Sequence, residues 1–221
     1  MRDFKGAIFD LDGTLLDSMW IWDQIDIDFL AKRGFEVPED YQRSIATMNS
    51  HETAVYTIKR FGLDEEPEEL VREWLDMAKD AYANQLELKE GAYDYVRSLY
   101  EEGIRMSVAT ASDLELVLPA LKRTGLFPML DHVITVREVS RGKGFPDIYL
   151  ESAARLGLDP GDCVVYEDIL EGICAAKTGG FRTVAIREDC NSSSWEQIRK
   201  EADRSITSFR ELISEGVTIT I

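Results

Sequence analysis

Two carboxylates one residue apart, Asp10 and Asp12, directly follow the apolar run Ala7-Ile8-Phe9 and directly precede Gly13-Thr14-Leu15. A short apolar run closed by a glycine turn reads as a buried strand. Its carboxylates then lie at the C-terminal edge, where open α/β sheets bind ligands. Later strand ends carry complementary groups. Residues 104–110 end in Thr110, followed by Ala111-Ser112 and a helix that opens at Asp113. The Thr110 hydroxyl and nearby backbone N–H groups can donate to phosphate oxygens. Lys143 lies between Gly142 and Gly144 in a flexible loop just ahead of another helix, and supplies the positive point charge a phosphate needs. The run Val164-Val165-Tyr166 ends in Glu167-Asp168, hard oxygen ligands suited to Mg²⁺.

Taken singly, each group has a plain structural explanation: a turn at Asp12-Gly13, a solvated loop at Glu167-Asp168, strand packing at Thr110, a surface amine at Lys143. Taken together they balance electrically. Asp10, Asp12, Glu167 and Asp168 converging on one pocket would repel strongly if all were ionised and unpaired. With Mg²⁺ bound, Lys143 charged and Asp12 protonated, the negative and positive charges cancel. Asp12 is then poised to give a proton to a leaving oxygen and later take one from water. Asp10 is poised to attack phosphorus and carry the phosphoryl group until water removes it. Asp147 reads as a favourable carboxylate in the first turn of a helix, and Asp17 as a capping or hinge residue.

The elements that must position these groups fall into two kinds. After the first strand, residues 19–33, 39–46, 51–61 and 67–86 read as helices, with Gly34 and Gly62 as stops, Ser50 as an N-cap and Pro67 in a first turn. From Lys89 onward helix and strand alternate. Helices 92–102, 114–124 (capped by Asp113), 145–156 and 169–178 are separated by strands 104–110, 132–136, 163–166 and 183–186. Repeated β-α units with glycine stops imply an α/β fold with a parallel sheet covered by helices on both faces. The helical block is therefore expected to be an insertion after the first strand.

The order Asp-x-Asp-Gly-Thr, strand-terminal Thr, Lys, then Glu-Asp resembles the four motifs of the haloacid dehalogenase superfamily, in sequence and in strand context, over essentially the whole chain. The run Glu167-Asp168-Ile169-Leu170-Glu171-Gly172-Ile173-Cys174-Ala175-Ala176-Lys177 resembles that family's Glu-Asp…Gly…Ala-Ala pattern. The resemblance implies a Rossmann-like core, residues 1–16 and 87–221, and an inserted helical cap, residues 17–86. It implies Mg²⁺ held by Asp10, Glu167, Asp168 and the backbone carbonyl of Asp12, and catalysis by Asp10, Asp12, Thr110 and Lys143. Substrate contacts are implied at Gly13, Thr14, Ala111 and Ser112. The cap resembles that of the β-phosphoglucomutase-like and small-phosphatase branch, in which cap loops choose the substrate. Ser18 and Trp22, one turn apart, and Asn49 and His51, at a helix start, are the residues expected to face the pocket.

Departures from sister activities narrow the expectation. Haloacid dehalogenases lack the second Asp of the first motif and need no metal. Phosphonatases carry a cap lysine that the 47–51 loop does not offer. In β-phosphoglucomutase a cap histidine and a cap-loop arginine stand where this chain has Trp22 and His51. The expected activity is hydrolysis of a small phosphorylated metabolite, with a sugar phosphomutase as the alternative and a catalytically silent binding protein as the alternative of another class. A nucleotide-binding module lacks its Gly-rich signature here.

Composition is consistent with that expectation. The 221 residues, 44% hydrophobic and 10% aromatic, suffice for one large domain or two small ones with a real core. No stretch approaches the ~20 uninterrupted apolar residues of a membrane span, and because the first six residues run straight into the strand no signal peptide is expected. A cytoplasmic monomer is expected. The net charge of −17 repels nucleic acid and anionic membranes, so a phosphorylated substrate needs a local positive site. Cys163, Cys174 and Cys190 have no metal-type spacing and read as small core residues. Two histidines, His51 and His132, are too few for a His-based zinc site.

Overall fold

A computed structural model describes residues 3–45, 48 and 50–214. In chain order the elements are β1 (Gly6–Phe9), β2 (Leu16–Asp17), α1 (Met19–Lys32), α2 (Tyr41–Ile45), α3 (Ser50–Phe61), α4 (Pro67–Asn84), β3 (Glu87–Leu88), α5 (Ala92–Glu101), β4 (Arg105–Thr110), α6 (Leu114–Arg123), β5 (His132–Thr135), α7 (Asp147–Leu156), β6 (Cys163–Glu167), α8 (Leu170–Thr178), β7 (Arg182–Ile186), α9 (Trp195–Glu201), β8 (Arg204–Ile206) and α10 (Arg210–Ser214). They form two compact units, Met1–Ser18 with Leu86–Ile221, and Met19–Gln85. Among the described residues no helix is long and apolar enough to cross a membrane.

In the first unit six strands make one parallel sheet, ordered β5-β4-β1-β6-β7-β8. β1 lies between β4 and β6, with Phe9 level with Val108 and Tyr166. A strand buried on both faces reads as a continuous apolar run, which is why Ala7-Ile8-Phe9 shows no alternation. On one side Ile8 belongs to a buried cluster with Val165, Ile148, Tyr149 and Phe181. Phe9 stacks on Tyr166 at 4.5 Å between ring centroids and meets Tyr95 of α5 and Phe209 on the other. A separate antiparallel pair, β2 with β3, sets Leu16 against Leu88 and Asp17 against Glu87. These are the segments by which the chain leaves and rejoins this unit.

Among its described residues the second unit holds helices and no strand. Phe29 of α1 meets Trp74 of α4 edge-on at 5.2 Å. Arg33 lies over the Phe29 ring and pairs with Glu65 and Glu73. Tyr41 and Thr57 share a buried hydrogen bond of 2.7 Å.

The α/β expectation is met, with local corrections. The β2–β3 pair and the final β8, α9 and α10 were not anticipated. β5 stops at Thr135 because Thr135 and Glu138 form a capping box that turns the chain into a 3₁₀ helix. Asp113 occupies the N-cap position of α6 without capping it, since its carboxylate pairs with Arg137. Ser50 is already within α3 rather than ahead of it. Cys163 is core, but Cys174 and Cys190 are exposed, because Cys174 falls on the outward stripe of α8 and Cys190 in the loop after β7. Ala46, expected to end the second helix, lies outside the described residues.

Candidate active site

Parallel register brings the ends of β4, β1 and β6 side by side, so residues about 100 and 157 positions apart in sequence become neighbours. The Asp10 N–H continues the ladder by donating to Tyr166 O at 2.9 Å. Asp10, Glu167 and Asp168, all buried, each place a carboxylate oxygen within 4.8 Å of the others. Lys143 reaches into this group, pairing with Asp10 Oδ1 and with Glu167 Oε1 at 2.6 Å. Its own loop is fastened at the base, where Arg141 forks onto Asp147 at 2.7 and 3.0 Å and covers the Phe145 ring.

Both oxygens of Glu167 are engaged. Oε1 accepts from Lys143 and from the Tyr149 hydroxyl at 2.8 Å, while Oε2 accepts the backbone N–H groups of Asp168 and Ile169 at 3.0 and 3.2 Å. Gly172 makes room for it: a Cβ there would lie 2.5 Å from Glu167 Cδ. Thr14 Oγ1 donates to Asp168 Oδ1 at 3.2 Å. Asp12 stands apart from the cluster. Its Oδ1 accepts from the Ser18 hydroxyl at 2.7 Å and its Oδ2 from the Ser112 hydroxyl at 2.8 Å. Thr110 is fully buried and its Oγ1 accepts from the Ser112 N–H at 3.0 Å.

Electrostatics follows from burial. Desolvation pushes the Asp10 carboxyl up to about 7; Lys143 opposes this shift, and Glu167 adds to it. Desolvation likewise carries Asp168 well above the ordinary carboxylate range, with Asp10 and Glu167 reinforcing it. For Lys143 burial works against the charge, but Asp10 and Glu167 outweigh it and hold the ammonium above the usual lysine range. Burial first, then Glu167, keeps the Tyr149 phenol protonated. Among the described residues Asp10 Oδ2 is buried without a hydrogen-bond partner, an arrangement that is costly unless a cation faces it. Three oxygen-bearing acids, one with an orphaned oxygen, fit a hard divalent cation such as Mg²⁺.

Other expected contacts are distributed differently. Ser18 is fully buried, with its hydroxyl on Asp12. Gly13 takes the turn at φ 84°, and Ala111 and Ser112 lie on the loop after β4, exposed and half-buried. Trp22 on α1 and His51 on α3 belong to the helical unit, where His51 Nδ1 is 3.6 Å from Glu68 of α4. Asn49 lies outside the described residues. Tyr149 and Gly172 were not singled out as site residues. Tyr149 occupies an apolar position in the helical periodicity of α7, and nothing in that pattern marks where its hydroxyl points.

The sequence model of the family described as "Haloacid dehalogenase-like hydrolase" matches residues 7–186. Hexitol phosphatase B of Escherichia coli is 26% identical over 187 residues, covering 84% of each chain. The validoxylamine A 7'-phosphate phosphatase of Streptomyces hygroscopicus is 27% identical over 183 residues, covering 83% of this chain and 85% of its own. The crystal structure of β-phosphoglucomutase from Clostridium difficile superimposes with a TM-score of 0.71 at 19% identity, over 95% of this chain and 93% of that one, a likeness of fold.

Proposed function

This chain belongs to the haloacid dehalogenase-like hydrolases, and we propose that it is a Mg²⁺-dependent phosphatase that hydrolyses a small phosphomonoester through an aspartyl-phosphate on Asp10. The observation that carries this reading is the buried Asp10 carboxylate, with one oxygen on Lys143, the other without a hydrogen-bond partner among the described residues, and the group clustered with Asp168 and Glu167. The names of the hexitol and validoxylamine phosphate phosphatases support the substrate class.

Asp10, Asp168, Glu167 and the Asp12 carbonyl would hold Mg²⁺, which supplies charge neutralisation between carboxylates and phosphate. Asp10 attacks phosphorus in line with the leaving oxygen, forming the O–P bond as the ester O–P bond breaks. Asp12 gives its proton to the leaving alkoxide, then accepts one from the water that attacks the phosphoenzyme, so inorganic phosphate leaves and Asp10 is restored. Lys143 and the Thr110 hydroxyl stabilise charge on the transferring group. Tyr149 and the Asp168 and Ile169 N–H groups hold Glu167, and Glu167 holds Lys143.

The helical unit, Met19–Gln85, which lies within the expected cap of residues 17–86, is proposed as the part that selects substrate. The test is a panel of phosphomonoesters scored for inorganic phosphate, run beside β-glucose 1-phosphate with catalytic bisphosphate. Phosphate release from sugar or polyol phosphates with little glucose 6-phosphate is the expected result. Efficient isomerisation with negligible phosphate release would replace hydrolysis by a phosphomutase reaction on the same core. No turnover of any kind would favour a binding protein.

A further inference from the structure

The turn that carries Asp12 is fastened from below by a residue outside every motif. The turn closes largely on itself: Gly13 N–H donates to Leu16 O at 3.0 Å, and the N–H groups of Leu15 and Leu16 donate to Leu11 O at 2.9 and 2.8 Å. The Gly13 carbonyl, however, points to Lys89, the residue that follows β3. Lys89 Nζ donates to Gly13 O at 3.2 Å and to Arg187 O at 3.0 Å, and pairs with Glu188 Oε2. The Lys89 N–H also donates to Leu15 O at 2.9 Å. An ammonium has three protons, and all three find scaffold acceptors here. Its side chain is 16% exposed and that of Glu188 8%, and Glu188 is itself held by the Asp189 N–H at 3.0 Å.

We propose that Lys89 is a positioning residue for the reaction proposed above: it fixes the Gly13–Thr14 peptide, and through it the placement of Asp12 and Thr14. A peptide unit is planar and trans, so anchoring the Gly13 carbonyl also fixes the opposite direction of the Thr14 N–H. Thr14 in turn touches Asp168 through its hydroxyl, and Asp12 immediately precedes Gly13. A positive charge on the carbonyl polarises the same peptide and strengthens its N–H as a donor. With all its protons engaged on scaffold, Lys89 acts through the turn and not on substrate.

Lys89→Met alone strands Glu188 without its counter-ion, so the decisive variant is Lys89→Met/Glu188→Gln, compared with Glu188→Gln and Lys89→Arg. Expected are near-wild-type kcat for Glu188→Gln and a kcat lower by about 10- to 100-fold for the double variant. KM should stay within about twofold, and Lys89→Arg should recover most of the rate because guanidinium also donates to carbonyls. Hydrogen exchange at residues 13–16 should be faster in the double variant than in Glu188→Gln at matched melting temperature. Wild-type kcat and unchanged exchange in the double variant would overturn the assignment, as would a loss confined to KM. The exchange measurement needs no substrate, so it still decides Lys89 if the wild-type protein releases no phosphate and the hydrolase reading itself falls.

Discussion

Replacing Asp10 by Asn should move activity and stability in opposite directions. The buried Asp10 carboxyl keeps its proton up to about 7, against an ordinary value of 3.8. That difference places a cost on the order of 4 kcal/mol on the ionised form in the folded protein without bound metal. The folded state holds this proton more tightly than the unfolded chain. Stability is therefore fully present below about pH 4 and is lost as pH rises to about 7. Asn cannot ionise, so this pH dependence disappears, while the amide nitrogen placed near the buried Oδ2 position costs about 1–3 kcal/mol. The net expectation in excess chelator at pH 8 is a variant more stable than wild type by about 1–3 kcal/mol, with no gain near pH 4.5. Turnover should vanish, because an amide cannot accept the phosphoryl group. The assay is urea unfolding of both proteins at the two pH values in chelator, with phosphate release measured in Mg²⁺. A variant no more stable than wild type at pH 8 would refute the electrostatic reasoning, and retained turnover would remove Asp10 from the nucleophile role.

Hydrolysis should stop on chelation and return with Mg²⁺, and Asp168→Ala should raise the Mg²⁺ concentration for half-maximal rate by at least about 100-fold. Full activity in excess chelator would sink the metal assignment. Thr110→Ala should lower kcat by roughly 10²–10³-fold if its hydroxyl stabilises the transferring group; a change of a few-fold would leave it a packing residue that braces Ser112. In the helical unit, burial pushes Asp26 up to about 6 while Gln42 donates to it at 2.7 Å. Stability should thus fall between about pH 4 and pH 6 on its account, and Asp26→Asn should flatten that slope and gain up to about 3 kcal/mol at pH 8. Parallel pH profiles for the two proteins in thermal melts would show that Asp26 carries no such cost.

The core site was legible in the sequence because its residues sit where strands stop. Asp10, Thr110 and the Glu167-Asp168 pair each end an apolar run, and side-chain type at such an edge suggests chemistry without knowledge of neighbours. Lys143 was legible through its flanking glycines and the helix that follows. What escaped detection depends on contacts between distant segments. Tyr149 looks like any aromatic on the inner face of a helix until Glu167 is placed beside it. Lys89 looks like a surface amine until Gly13 and Glu188 close around it. Two-residue strands such as β2 and β3 have no periodicity to read. Cys174 was misread because its neighbours Ile173, Ala175 and Ala176 are buried, and one apolar stretch of a helix does not by itself say which residue faces out.

The central position of β1 governs how this protein is made. Its pairing partners, β4 and β6, come out of the ribosome roughly 100 and 157 residues later. β1 can therefore pair with β4 once about half of this sequence is made, but with β6 only once about three-quarters is. The helices between β2 and β3 are joined by contacts such as Phe29–Trp74 and Arg33–Glu73, shorter in sequence than the pairing of β1 with β4, and can fold in the interval. Pairing β1 with β6 closes the longer of its two loops and brings Asp10 against Glu167 and Asp168. The acidic cluster therefore cannot form before β6 is available, and a chain cut short before β6 lacks Glu167 and Asp168 and has no site.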